Sequence, residues 1–200
     1  MTMSAADLKQ LQPEIYERSA KRFLNVGSGH AGSERLPECF RFGDWQQIRL
    51  DINPKVKPDV LADVTDLSNI EDHDVDAVYS SHNLEHLHQH QVPKALSEIH
   101  RVLKPNGFVL LTMPDIKAVA KWVLEGKLME TIYESPMGPI RPIDIMFGHQ
   151  GAVEQGDTFM AHKTAFDANS LAHALNEEGF KEVRVMTDKY HNLWGYGVKF

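Results

Sequence analysis

Lys21-Arg22-Phe23-Leu24-Asn25-Val26-Gly27-Ser28-Gly29-His30-Ala31-Gly32 decides the fold. Residues 21–26 predict a short buried strand. Glycines follow at once, and a brief helical segment is expected over 34–40. Glycine at a strand end lets the backbone turn sharply and lets a ligand approach the amides. Gly27-x-Gly29-x-x-Gly32 alone is a weak signal, since many loops hold three glycines. It gains weight from Asp51, which closes the next apolar run, Ile48-Arg49-Leu50, about 20 residues on. A carboxylate there can accept hydrogen bonds from ribose hydroxyls. The pattern points to an adenosine-containing cofactor at the carboxyl edge of a parallel sheet.

The remaining segments extend this reading. Strands are predicted over 46–51, 60–63 and 75–80, with a loop over 64–67. The 75–80 run is nearly all apolar, as in a strand buried on both faces. A long helix is expected over 92–103, with Val92, Leu96, Ile99 and Leu103 on one face and Glu98 and Arg101 turned away. Lys104-Pro105-Asn106-Gly107 stops it and turns the chain into a strand over 108–113. A helix over 116–125 follows, capped by Asp115, with Ile116, Val119, Ala120, Val123 and Leu124 inward. Asp167 caps another over 168–178. Strands at 182–187 and 195–200 are joined too tightly for a parallel crossover, so they pair antiparallel. An additional helix is predicted over 5–18, kinked at Pro13. The fold class is α/β: a Rossmann-like three-layer sandwich with a mostly parallel seven-stranded sheet and an antiparallel terminal strand.

Residues 128–163 lack periodicity and carry Pro136, Pro139 and Pro142 among Met129, Met137, Met146 and Met160. A segment that long reads as a packed lid inserted in one domain spanning 1–200. The net charge of −7 argues against broad nucleic-acid binding, which needs a basic face. One cysteine, Cys39, excludes an intramolecular disulfide and fits a reducing compartment. Residues 1–7 lack the pattern of a secretory leader, and no apolar run approaches membrane-spanning length. A cytoplasmic protein without membrane association is the expectation.

The ordered set of segments resembles the class I S-adenosylmethionine-dependent methyltransferases, specifically the small single-domain group called type 11. The residues carrying the resemblance are Leu24-Asn25-Val26-Gly27-Ser28-Gly29, Leu50-Asp51-Ile52, Ala62-Asp63-Val64-Thr65-Asp66-Leu67, Ser80-Ser81-His82-Asn83-Leu84-Glu85-His86-Leu87 and Glu98-Ile99-His100-Arg101-Val102-Leu103-Lys104-Pro105-Asn106-Gly107. The chain departs from the family where Asn25 replaces a frequent acidic residue and Ala31 a frequent third glycine. The resemblance implies S-adenosyl-L-methionine as cofactor and methyl transfer to a small-molecule acceptor. It implies cofactor binding by Asn25, Gly27, Ser28, Gly29, Asp51, Ile52, Asp63, Val64, Ser80 and Ser81. Asp51 would hold the ribose hydroxyls, Ile52 would lie against adenine, and Asp63 with the Val64 amide would meet the adenine edge. Each also has a plainer role open to it: Asp51 as a turn cap, Asp63 as part of an acidic surface, the serines as partners of nearby backbone.

His86, His149 and His162 are the candidates for proton transfer to or from an acceptor. Tyr133, Phe147 and Phe159 are candidate walls of its pocket, and Arg141 a candidate partner for an anion. His82-Asn83-Leu84-Glu85-His86 also matches H-x-x-E-H, a zinc-hydrolase pattern on a helix. It falls directly after a buried strand within the methyltransferase-like run, and such short patterns recur by chance. The expectation is no metal. Two other function classes stay open at this point: an NAD(P)-dependent oxidoreductase, and a non-catalytic S-adenosylmethionine-binding protein.

Overall fold

The computed structural model describes residues 21–30, 36–135 and 138–200. The helix expected over 5–18, and Ala31 and Gly32, lie outside them. Strand β1 (Lys21–Val26) leads to a short helix α1 (Glu38–Arg41), then β2 (Trp45–Asp51), β3 (Val60–Leu61) and β4 (Val75–Ser81). Helix α2 (Val92–Val102) precedes β5 (Leu103–Pro114), and α3 (Ile116–Leu124) follows it. Residues 128–163 fold as a hairpin of β6 (Tyr133–Ser135) and β7 (Gly138–Ile140), then α4 (Pro142–Phe147), α5 (Gln150–Glu154) and a 3-10 turn at Thr158–Met160. Helix α6 (Ala168–Glu177), β8 (Lys181–Thr187) and β9 (Asn192–Val198) complete the chain.

Seven strands form one sheet in the order β3-β2-β1-β4-β5-β9-β8. β1 pairs in parallel with β2 and β4, and β4 with β5. The reversed strand is β9, the last of the chain. It sits one place in from the edge, antiparallel to both β5 and β8. In register, Val26 stands beside Leu50 on one side and Ser80 on the other, so three strand tips end level. That row of tips builds the site.

Alternate residues feed two cores, one on each face of the sheet. Leu24, Val26, Val78, Val109 and Leu111 face α2 and α6, whose Leu96, Ile99, Leu171 and Leu175 are fully enclosed. Phe23, Ala77, Tyr79, Phe108, Leu110, Trp194 and Tyr196 face the other way and meet Cys39 and Phe40 of α1. There the Phe23 and Phe40 rings stack at 4.3 Å. Burial pushes the Cys39 thiol up to about 12. No described helix is long and apolar enough to cross a membrane.

Several boundaries differ from the sequence reading for identifiable reasons. Lys104-Pro105-Asn106-Gly107 ends α2 as expected, yet it lies inside β5 as a bulge: Val75 pairs with Leu103 and Ala77 with Phe108, leaving four residues opposite Asp76. β3 stops at Leu61 because the Asp63 carboxylate turns the chain, taking the amide and hydroxyl of Thr65. β9 starts at Asn192 rather than 195. Asp188 closes the hairpin early, accepting from the Tyr190 and Asn192 amides and from Trp194 Nε1. In α3 only Val119 is buried, and Leu124, expected inward, is 87% exposed.

Gly197 shows how closely the helical layer approaches β9. A Cβ there would stand 2.9 Å from Cβ of the fully buried Phe180. Gly197→Ala should therefore destabilise the protein by about 1–3 kcal/mol through overpacking, read as a lower urea midpoint with unchanged slope. Cys39 should resist alkylation at pH 8 in the native protein and react once urea unfolds it, because the thiolate is the reactive form.

Candidate functional site

The strand tips are locked together by charge. Asp51 Oδ2 accepts the Gly29 amide at 2.7 Å and Oδ1 accepts the Asn53 amide at 2.8 Å. One carboxylate thus fixes the loops after β1 and β2. Arg49 braces them from outside, donating to the carbonyls of Gly29 at 2.7 Å and Val56 at 3.0 Å. The loop carrying Asp63 and Val64 is pinned from α2. Glu98 Oε2 takes the Leu67 amide at 2.6 Å, and Arg101 donates to Glu98, Asp72 and the carbonyls of Ile70 and Leu67. The Arg101 guanidinium holds the Glu98 carboxyl below its usual range. The two residues expected to point away from the core therefore position the site.

These loops surround a cleft of about 390 Å³. Of the expected cofactor residues, Gly27, Gly29, Asp51, Ile52, Asp63 and Val64 line it. Asn25, Ser28, Ser80 and Ser81 do not. Asn25 is 3% exposed within β1, and Ser80 Oγ donates to the Val26 carbonyl at 3.3 Å. Ser81 hydrogen-bonds the Tyr79 hydroxyl. β4 runs to Ser81, one residue further than the apolar run suggests, so the loop facing the cleft begins at His82 and Asn83. His82 has φ +50, an uncommon backbone state of the kind found at functional loops.

A second cavity of about 420 Å³ adjoins the cleft. The two share His82, His86 and Met160 as a common wall. Its far side is built by Tyr133, Asp144, His149 and His162 from the 128–163 region and by Tyr190, His191 and Asn192 from the β8–β9 turn. The contribution of that turn was not legible in the sequence. Tyr133 lines this cavity and Phe159 lines the cleft, while Phe147 is on neither and is 55% exposed. Arg141 is occupied by Asp144, at 2.8 Å.

The three candidate histidines differ in which nitrogen is free. His86 Nδ1 lies 3.0 Å from the Ala161 carbonyl and His162 Nδ1 2.7 Å from the Ile145 carbonyl. A carbonyl only accepts, so each Nδ1 carries the hydrogen and each Nε2 keeps a lone pair. His149 is the opposite case. Its Nδ1 accepts the Ala152 amide at 3.1 Å as the cap of α5, so the neutral ring carries its hydrogen on Nε2. His149 can donate toward the cavity but not accept there while it caps the helix. Beside them, His82 Nδ1 meets Glu85 Oε1 at 3.1 Å. Burial resists charge on Glu85, but its contact with the half-exposed His82 outweighs it, holding Glu85 down and His82 up. Burial pushes His162 below its usual value.

A family described as a methyltransferase domain matches residues 24–111. Over those residues the chain is similar to that family, and its fold is that of solved S-adenosylmethionine-dependent methyltransferases. Solved structures share its fold across nearly the whole chain. An S-adenosylmethionine-dependent methyltransferase from Archaeoglobus fulgidus is 16% identical over 97% of this chain and 92% of its own, with TM-score 0.60. One from Mesorhizobium loti is 16% identical over 98% of each chain, with TM-score 0.61. Phosphoethanolamine N-methyltransferase 2 of Haemonchus contortus, solved with S-adenosyl-L-methionine, is 15% identical over 97% of this chain and 51% of its own, with TM-score 0.59. No curated protein matches the chain. The inserted antiparallel β9 also separates this sheet from the all-parallel dinucleotide-binding order, against the nicotinamide reading.

The cleft fits the methyltransferase cofactor, S-adenosylmethionine. Gly29 has φ +53 and open space where a Cβ would stand, so its backbone is bare to a ligand. On the cleft wall, the buried Asn83 Oδ1 has no hydrogen-bond partner among the described residues. At Gly27, with φ +67, a Cβ would meet Asn83 Nδ2 at 2.3 Å. Gly27→Ala combines that clash with an αL conformation costing an alanine about 1–2 kcal/mol. It should weaken S-adenosylhomocysteine binding by about tenfold or more, measured by calorimetry on folded protein.

Proposed function

We propose that this protein transfers a methyl group from S-adenosylmethionine to a small-molecule acceptor seated in the second cavity. The observation carrying this reading is the common wall of His82, His86 and Met160 between cofactor cleft and cavity. When bound, the cofactor supplies a methyl group already activated on a sulfonium. The protein's own task is to bind, align and exclude water.

Asp51 is suited to the ribose hydroxyls. Each of its oxygens accepts one amide, which leaves lone pairs for a sugar. Ile52, 45% exposed and on the cleft wall, offers an apolar surface to adenine. Asp63 uses only Oδ1 to close its turn, so Oδ2 remains for the adenine amino group beside Val64. The bare backbone of Gly27 and Gly29 suits the methionine end. On the acceptor side, the lone pairs of His86 and His162 Nε2 are the basic groups, and Tyr133 and Met160 are the apolar walls.

Residues 128–163 act as the roof of the acceptor cavity within one domain. Eight of the fourteen residues lining the cavity belong to this segment. The net charge of −7 and a cavity sized for a small ligand favour a small molecule over nucleic acid. The free, buried Cys39 suits a cytoplasmic setting.

Calorimetry should show S-adenosylhomocysteine binding and no comparable binding of NAD. Asp51→Asn should weaken it about 10–100-fold, the size of losing charge-assisted hydrogen bonds. Incubation with methyl-labelled cofactor and a metabolite extract should yield a labelled small product. Tight NAD binding without S-adenosylhomocysteine binding would overturn the reading. Cofactor binding with no labelled product would make the protein a non-catalytic binder.

A further inference from the structure

His86 of the common wall, His162 of the second cavity and the buried Glu85 lie together. One ligand atom from each, a carboxylate oxygen or an imidazole nitrogen, lies within 4.8 Å of the others. The His86 and His162 rings meet edge to face, 4.8 Å between centroids. Two come from the 3-10 turn Leu84–His86 and the third from just beyond the Thr158–Met160 turn. The backbone stitches these turns together, because the Glu85 carbonyl accepts the amides of Lys163 at 2.8 Å and Thr164 at 3.2 Å.

Three features make this more than a cluster of polar groups. The Glu85 side chain is 2% exposed, and its Oε2 has no hydrogen-bond partner among the described residues. An enclosed carboxylate oxygen without a partner is costly, so it calls for a cation. His82 serves Oε1 only and leaves Oε2 unmet. Meanwhile both histidines are held by Nδ1–H to backbone carbonyls, which fixes the tautomer that presents Nε2. Metal-ligating histidines are held in this way, and their carboxylate co-ligands carry hydrogen bonds of their own.

We propose that Glu85, His86 and His162 bind one divalent transition-metal ion, with its open positions toward the second cavity. Two imidazoles and one carboxylate are a set that zinc accepts, leaving room for a further ligand. Ligand atoms about 2.1 Å from such an ion stand roughly 3.4 Å apart, so closure from 4.8 Å takes side-chain rotations on the order of 1 Å. This proposal departs from the expectation of no metal, and it does not rest on the H-x-x-E-H spacing. Residues 84–86 form a 3-10 turn, so His82 does not join His86 on one helical face. It hydrogen-bonds Glu85 instead. Resting on the methyl-transfer reading, the ion takes the two Nε2 lone pairs that would serve as bases in its absence, and it narrows the acceptor to a compound offering an oxygen to the metal, whose hydroxyl loses its proton more readily there.

The test uses the untagged full chain, stripped with a chelator and dialysed against zinc. Elemental analysis should give about one zinc per chain. Glu85→Gln and His162→Ala should each weaken zinc binding at least about tenfold, while His173→Ala, on the exposed face of α6, should not. S-adenosylhomocysteine binding, followed in the same samples, reports whether each variant is folded. No stoichiometric zinc in the wild-type protein, or unchanged zinc binding by both folded variants, overturns the proposal. Should the variants unfold, the wild-type cobalt spectrum decides. Intense bands of four- or five-coordinate cobalt support the site, and the weak spectrum of hydrated cobalt overturns it. Zinc binding in a protein that fails to bind S-adenosylhomocysteine would leave the metal site standing and remove the methyl-transfer reading.

Discussion

Asp51 ties together the two loops at the mouth of the cleft. Its two oxygens each take a backbone amide, from Gly29 on one loop and Asn53 on another. Neither loop belongs to a strand or a long helix, so neither has a regular ladder to hold it. A carboxylate at the end of β2 supplies that restraint, and charge-assisted hydrogen bonds to amides are among the stronger ones available. Because β1 and β2 are in parallel register, Val26 beside Leu50, the restraint acts where the sheet itself stops. The two loops at the mouth of the cleft are thereby tied to one carboxylate.

The second cavity is held by a different device, backbone bridging across the inserted region. Gly148 and Ala161 form an isolated antiparallel bridge, and the His162 amide donates to the Phe147 carbonyl at 3.1 Å. A Cβ on Gly148 would fall 1.9 Å from the Met160 carbonyl oxygen, so the two passes of chain lie too close for any side chain between them. His162 is delivered to the cavity by this contact, and His86 is tied to the same strip through Ala161. The histidines thus sit on short turns that neighbouring backbone clamps from outside.

Most of the sheet could be read from the order of apolar runs, because strands buried on both faces leave continuous hydrophobic stretches. The pairing of the last two strands followed from the shortness of their connection. What could not be read was where β9 inserts, since both its neighbours present similar apolar faces and only tertiary packing separates them. The cleft was half legible. Gly27, Gly29, Asp51 and Asp63 follow strand ends, and strand ends show in the pattern. Ser80 and Ser81 were expected at the strand end facing the cofactor, but β4 runs on to Ser81 and neither lines the cleft. His82 and Asn83 were passed over for the same one-residue reason. The convergence of Glu85, His86 and His162 lies beyond any local pattern, since it depends on a turn far along the chain meeting the end of β4.

The place of β9 also governs the order in which the molecule can assemble. Until residues 192–198 are available, β5 presents an open edge and β8 has no sheet to join. During synthesis, the first five strands can form their parallel core while that edge stays unpaired, an exposed template for mispairing. The short β8–β9 connection lets the two strands arrive as a preformed ribbon, so a single docking event closes the edge and brings Tyr190, His191 and Asn192 to the cavity. Completion of the second cavity is therefore coupled to the docking of this ribbon, which supplies Tyr190, His191 and Asn192 to its wall.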